Sequence, residues 1–409
     1  MSSASSASAW LEERRTDMVD DLRLYVEHET PSDDKQLLDE GLTWVREWIA
    51  ERLPDASEIR FVDGAEFGDA VIVDIPSPTL TDRFVSALCH YDTVWPRGTG
   101  LMWPVRIDGD MLTGPGAFDM KAGLVQLVWA IKCADTCGLA RPNVRLILTG
   151  DEEIGSPTSR SLIEEEVAGS EAVLVFEASV DGAVKTSRKG VGLFTITVDG
   201  VEAHAGLDPG KGVSAIDEMA RVVRALHDVN DAGSETTVNV GTISGGSRAN
   251  VTAGSATADI DVRVDSNEEA RRVDELLSAL APSRPSARIT VSGEWNRPVM
   301  ARTAGTALLY DEARKAAAEL GFELREAAVG GASDGNFAAA QGLPVLDGLG
   351  AVGGGAHARE EWVSLNGMIE RAALTAVLLD SLLDSDPSPS RARNADNDRH
   401  HPGLSRNGK

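Results

Sequence analysis

The residues of this chain that could do chemistry stand at the ends of short apolar runs. His90 directly follows Phe84 to Cys89, and Asp92 lies just beyond it. Glu152 and Glu153 follow Val144 to Thr149, and Glu177 closes Ala172 to Phe176. Asp119 lies in Gly114-Pro-Gly-Ala-Phe-Asp-Met-Lys-Ala-Gly123, where glycines on both sides free the backbone. The runs are β-branched or leucine-rich and read as central strands. In open α/β sheets, function gathers at the carboxyl ends of strands. Taken singly, an Asp after a strand is a helix cap and a Glu pair is a solvated turn. Their coincidence at several strand ends points instead to one site. Imidazole and carboxylate together suit zinc or another borderline divalent ion. Two such ions about 3.5–4 Å apart share a carboxylate and a water and drive hydrolysis.

The elements that must position these residues alternate. Trp10 to Leu53 reads as helical with a break near Pro31, its apolar residues at helical spacing. Ala70 to Ile75 and Phe84 to Cys89 read as strands, and Lys121 to Ala134 as a buried helix. Strand–helix alternation marks an α/β domain. The middle differs. Strand Val191 to Val198 and helix Val213 to Val229 precede strands Thr237 to Ile243 and Ala256 to Val264. Helix Glu268 to Ala281 and strand Ala287 to Ser292 follow. That β-α-β-β-α-β order is the ferredoxin-like split pattern. The expected organisation is a catalytic domain over 10–184 and 296–383, with an inserted α+β domain at 185–295. Helices Thr306 to Leu320 and Met368 to Leu383 belong to the returning part. Residues 384–409, His400 and His401 among them, are too polar to bury a core and are expected to be disordered.

The chain has 409 residues, of which 42% are hydrophobic, enough for two or three domains with sizeable cores. Its formal net charge of -26 argues against a nucleic-acid partner, whose phosphates need a basic surface. An acidic substrate would need a local basic pocket. Cys89, Cys133 and Cys137 form neither a disulfide framework nor a zinc ribbon, and the latter two read as core residues one helical turn apart. No run approaches the ~20 apolar residues of a membrane helix, and Met1 to Trp10 does not read as a signal peptide. The expected location is cytoplasmic.

Four segments together resemble the M20 family of metallopeptidases, which holds carboxypeptidases, deacylases and desuccinylases. They are Leu88-Cys-His-Tyr-Asp-Thr-Val94, Gly114 to Gly123, Thr149-Gly-Asp-Glu-Glu-Ile-Gly155 and Gly353-Gly-Gly-Ala-His-Ala358. The resemblance runs from about residue 15 to 383. It implies a zinc-peptidase-like α/β domain with a mixed sheet and an inserted ferredoxin-like lid that also dimerises. It implies two Zn2+, with Co2+ or Mn2+ as substitutes. His90 and Glu177 would hold one ion, Glu153 and His357 the other, and Asp119 both. Asp92 would orient His90, and Glu152 would be the general base. A cis peptide is expected at Asp119-Met120.

In the inserted domain, Gly200-Val-Glu-Ala-His-Ala-Gly206 resembles the segment carrying the family's lid histidine. His204 is therefore a candidate to polarise the scissile carbonyl. Gly245 to Val251 makes Asn250 a candidate substrate contact. Arg263 and Arg297 resemble the family's carboxylate-gripping arginines, and each could equally be a structural salt bridge. Gly330-Gly-Ala-Ser-Asp-Gly-Asn336 would shape the pocket floor, with a helix N-terminus near Asn336 suited to an anion. His28 and His227 match no motif. The implied activity is release of a C-terminal amino acid, glutamate being the candidate, from an N-acyl or peptidyl conjugate with a free carboxylate. The rival readings are an N-acyl-amino-acid deacylase and a non-catalytic binding protein on the same scaffold.

Overall fold

The computed structural model describes residues 2–230 and 235–384. From residue 385 onward the expected disordered tail, with His400 and His401, lies outside the described residues. The chain divides into two compact units. One is Met1–Thr186 with Arg302–Ala328 and Phe337–Lys409; the other is Ser187–Ala301 with Val329–Asn336. The second unit therefore extends past 295 and takes in the loop Val329–Asn336, which the sequence reading left with the first.

In the first unit, six strands form a mixed sheet. Their order is Ser57–Val62, Ala70–Ile75, Asn143–Thr149, Phe84–His90, Val173–Val175 and Val345–Leu346. Phe84–His90 runs parallel to both Asn143–Thr149 and Val173–Val175, with His90 opposite Thr149 and Leu88 opposite Val175. All three strands thus end on the same edge of the sheet, and His90, Glu152, Glu153 and Glu177 emerge together there. Burial of these strands is nearly continuous rather than alternating, because both faces are covered. Only the edge strand Ser57–Val62, antiparallel to its neighbour, is largely exposed.

The helix Ala122–Cys137 is buried almost all round and ends at Gly138, whose φ of 69° suits the glycine at a helix C-terminus. Leu365–Asp384 and Ser3–Glu12 pack against it. The last of these begins well before residue 10. Ala4, Ala7 and Leu11 are buried in the core, and Cys133 donates its thiol to the Ala7 carbonyl. A Ser/Ala segment carries too little apolar surface to announce that burial. Helices Arg15–Glu27 and Lys35–Arg52 flank the expected break at Pro31.

A second, small antiparallel sheet in this unit orders Gly353–Gly354, Trp362–Ser364, Met111–Thr113 and Arg106–Asp108. Trp362 pairs with Thr113 on one side and Gly354 on the other. Met111–Thr113 leads straight into the Asp119 loop, while Gly353–Gly354 and Trp362–Ser364 flank the turn carrying His357. These short strands carry no period that marks them in the sequence, and the pairing of Trp362–Ser364 with Met111–Thr113 is long-range.

The second unit is an antiparallel sheet ordered Thr237–Gly245, Ser255–Val264, Gly190–Asp199 and Arg288–Arg297. Helices Ala215–His227 and Asn267–Ser278 complete the ferredoxin-like element order. Ser214 and Ser266 cap them by accepting from Asp217 and Glu269 backbone N–H groups. Met219, Val222 and Leu226 join Ile196, Val198 and Ile260 in a separate core.

Candidate metal centre

Five side chains from five places in the first unit converge. His90 Nε2 lies 3.3 Å from Glu177 Oε1 and 3.5 Å from Asp119 Oδ1. His357 Nε2 lies 3.1 Å from Glu153 Oε2 and 3.4 Å from Asp119 Oδ2. The ligating atoms of His90, Asp119 and Glu177 lie within 4.8 Å of one another, as do those of Asp119, Glu153 and His357. Asp119 belongs to both groups, offering one carboxylate oxygen to each. Its peptide bond to Met120 is cis.

Strand geometry delivers three of the five. His90 ends its strand, Glu153 sits on the 3-10 turn Glu152–Ile154 after the next, and Glu177 follows Val173–Val175. His357 stands on a turn at φ 61°, a left-handed conformation uncommon outside glycine, two residues after Gly355 at φ 79°. Close backbone approach brings the strand end to Asp119: the Phe176–Glu177 backbone runs between Gly123 and Gly350, neither of which has room for a side chain.

These atoms suit a cation. His90 Nε2, Asp119 Oδ1 and Glu153 Oε1 are buried and make no hydrogen bond. Buried polar atoms without partners are uncommon. His90 Nδ1 lies 3.0 Å from the Asp92 carbonyl oxygen and 3.4 Å from its carboxylate Oδ1. Both are acceptors, so Nδ1 carries a proton, and in the neutral ring Nε2 turns a lone pair into the cluster. Burial disfavours charge on His90, yet Asp119, Asp92 and Glu177 outweigh it and hold its pKa well above the usual value. Asp119, and then Glu153, push His357 up to about 10. Burial raises the Glu153 carboxyl to about 7 against the pull of His357. Burial also pushes Asp119 upward, but His357 and His90 together hold it below the usual carboxylate range. The cluster draws positive charge, as protons or as divalent ions.

The supporting contacts go beyond the sequence reading. Asp92 does more than face His90: its fully buried carboxylate accepts the backbone N–H groups of Glu152 at 3.2 Å and Glu153 at 3.1 Å. It also takes the Ser32 hydroxyl at 2.8 Å. The reading missed Ser32 and Glu361, whose carboxylate accepts from the Asp119 loop. Neither residue sits in a recognisable spacing. Glu152 is half-buried, one position before Glu153.

In the second unit, His204 is exposed and its Nδ1 accepts the N–H groups of Gly206 and Leu207, each at 3.1 Å. The proton of a neutral ring is therefore on Nε2, a free donor. Ala205 donates to the Asn250 carbonyl, and His204 bridges to Val251, so His204 and exposed Asn250 are neighbours. Arg263 makes a bidentate pair with Asp261 at 2.7 and 2.8 Å. Arg297 is buried, with Nη2 3.1 Å from Asp334 Oδ1. Of the two readings open for Arg297, the structure displays the structural ion pair. Asn336 is likewise a buried staple, donating to the Pro298 and Lys189 carbonyls at 2.7 and 3.2 Å. The helix there, Gly335–Ala340, is only 6 residues long, too short for the anion site expected of it. His28 stacks on Trp44, and His227 lies in the last turn of its helix, both outside the metal cluster.

The fold and the paired ligand groups define a hydrolase scaffold of the two-metal kind. Residues 88–381 match the family described as Peptidase family M20/M25/M40. The chain belongs to that family and is an enzyme of the metallopeptidase and amidohydrolase class. It is 30% identical over 302 residues to carboxypeptidase G2 of Pseudomonas sp. (strain RS-16), covering 71% of this chain and 72% of that protein. Among solved structures it resembles the aminopeptidase PepT of Bacillus cereus, with a TM-score of 0.77 at 21% identity, covering 90% of this chain and 99% of the other. The Bacillus subtilis YXEP protein, described as a dinuclear metal-binding peptidase of the M20 family, aligns with a TM-score of 0.69 at 16% identity over 91% of this chain and 99% of its own. Among the described residues, no helix is long and apolar enough to cross a membrane.

Proposed function

We propose that this protein is a di-zinc carboxypeptidase that releases a C-terminal amino acid, glutamate being the candidate, from an N-acyl or peptidyl conjugate. The observation that carries the reading is the pair of ligand groups sharing Asp119, with unpartnered lone pairs turned into it. His90, Asp119 and Glu177 would hold one ion, and Asp119, Glu153 and His357 the other. Once bound, two such ions supply Lewis acidity, lowering the pKa of water and polarising a carbonyl oxygen. Asp92 fixes the tautomer of His90 and, through two backbone N–H groups, the turn bearing Glu152 and Glu153. Glu152 takes the proton of the attacking water and returns it to the amine nitrogen as the amide C–N bond breaks. His204, with Nε2–H as donor, is proposed to stabilise the developing oxyanion. Asn250 and Arg263 are proposed substrate contacts, Arg263 for a free carboxylate once released from Asp261. Arg297 is proposed to act in substrate binding through the Val329–Asn336 loop it anchors by Asp334.

Ser187–Ala301 is proposed as a lid and dimerisation domain. Its edge strand Thr237–Gly245 is largely exposed, and Ile243 and Ile216 lie open there, which favours a second copy as partner. Cytoplasmic location is proposed on the three free cysteines. Zinc quantified alongside a release assay over N-acyl and peptidyl glutamates and N-acetyl amino acids tests the whole reading. Glutamate release with two equivalents of zinc is expected. Acetyl release alone would favour the deacylase, and no release from any conjugate would favour the binding protein. Sedimentation of an active monomer would remove the dimer.

A further inference from the structure

Glu361 is fully buried, yet no basic side chain among the described residues forms an ion pair with it. Its charge is met by N–H groups instead. Oε1 accepts from the backbone of Phe118 at 2.8 Å and of Asp119 at 3.0 Å. Oε2 accepts from the backbone of Gly116 at 3.1 Å and from the Trp95 indole at 2.9 Å. A buried carboxylate with four donors is a rigid fixture, because hydrogen bonds to an ionised acceptor are the short, strong ones.

Its place in the chain gives that fixture a purpose. Ala358 donates to the Gly355 carbonyl and Glu361 to the Ala358 carbonyl, so Glu361 closes the same tight turn that presents His357. Trp362 then enters the small sheet beside Met111–Thr113, the strand that leads into the Asp119 loop. Glu361 therefore ties the backbone of one ligand loop to the turn of another. Among the described residues it hydrogen-bonds neither to Glu177 nor to the strand of His90. Asp119 and His357 belong together in only one of the two ligand groups, the one completed by Glu153.

Resting on the two-metal reading above, the geometry points to Glu361 as a positioning residue that sets the separation of Asp119 and His357. It thereby selectively governs affinity at the Asp119–Glu153–His357 position. The His90–Asp119–Glu177 position depends on it less, since strand pairing places two of its three ligands. Trp95, held by the same carboxylate, is the surface end of the clamp.

The test is metal affinity rather than turnover. Wild type, Glu361→Gln and Glu361→Asp are stripped, and zinc is titrated back against a chromogenic chelator, with circular dichroism melts on the same samples. Glu361→Gln keeps the shape but turns an NH2 toward N–H donors. Loss of such a support typically weakens metal binding by about 10–100-fold. The expected result is that loss in one zinc equivalent, with the other changed by less than about threefold, and an intermediate loss in Glu361→Asp, which retains the charge. Unchanged affinities, or equal weakening of both equivalents, would overturn the proposal. Failure of both variants to fold would also overturn it, since the residue would then serve stability alone. A wild type that never binds two equivalents would instead defeat the two-metal reading.

Discussion

Gly123→Ala is the substitution whose outcome the structure determines most sharply. A Cβ at Gly123 would fall inside the contact radius of the Phe176 carbonyl oxygen, 3.0 Å from the carbonyl carbon and 3.2 Å from Met120 Cε. Non-bonded carbons rest about 3.5–4.0 Å apart and the overlap with the oxygen is deeper still, so the Phe176 carbonyl must move by more than about 1 Å. Retreat is closed on the other side. Gly350 donates to the Glu177 carbonyl at 2.9 Å, and its own ideal Cβ would lie 2.7 Å from that oxygen. The shift passes to Glu177 and opens its 3.3 Å approach to His90. Misplacement on the order of 1 Å at a catalytic centre costs roughly 100-fold in rate. Overpacking costs about 1–3 kcal/mol, a fall of a few degrees in Tm at roughly 2–4 °C per kcal/mol. Elsewhere in a helix, Gly to Ala stabilises by about 1 kcal/mol, so even the sign is diagnostic. Differential scanning fluorimetry and kcat/KM on the best substrate of the release panel provide the readings. A variant with raised Tm and wild-type kcat/KM would refute the reasoning.

Glu152→Gln should retain zinc and lose about 10²–10⁴-fold in kcat; wild-type turnover with metal bound would remove the assigned base. Zinc loading should release protons, because His90 and His357 titrate above their usual values when no ion competes with protons. Apparent zinc affinity should then rise with pH and level off above about 10, the value to which His357 is pushed; calorimetry in buffers of differing ionisation enthalpy would expose a proton-free reaction. Chelation should lower Tm, since free zinc at about 1,000 times its Kd stabilises by about 4 kcal/mol, and a melt indifferent to chelator would contradict a resident ion. Asp21 is buried and accepts from Arg52 at 2.9 and 2.6 Å and from the Trp129 indole at 2.9 Å. Asp21→Ala should destabilise by about 3 kcal/mol in urea unfolding, and a change below about 1 kcal/mol would mean that water replaces the pair.

The sequence is most readable where chemistry follows a local rule. His90, Glu153 and Glu177 could be placed because each follows a short apolar run, and parallel strands must end on the same edge. The split βαβ order of the second unit was equally plain from hydrophobic period alone. Partners were not legible. Arg263 and Arg297 carry the same side chain and the same resemblance, but only three dimensions show Asp261 beside one and Asp334 beside the other. Glu361 looks like one more acid in Arg359-Glu-Glu-Trp362 until the fold brings the Asp119 loop against it. Ser3–Glu12 escaped because alanines signal burial weakly, though Ala7 is fully enclosed.

Asp119 belongs to two groups that are unequal along the chain. The set with His90 and Glu177 is complete by residue 177, whereas the set with Glu153 waits for residue 357. On the ribosome the first trio emerges roughly 180 residues before the second can exist, some 10–40 s earlier at about 5–20 residues per second. The residues of the first group are thus all synthesised long before those of the second, while the contacts that fix them, Gly350 on Glu177 and Glu361 on the Asp119 loop, arrive with the turn of His357 as the last pieces.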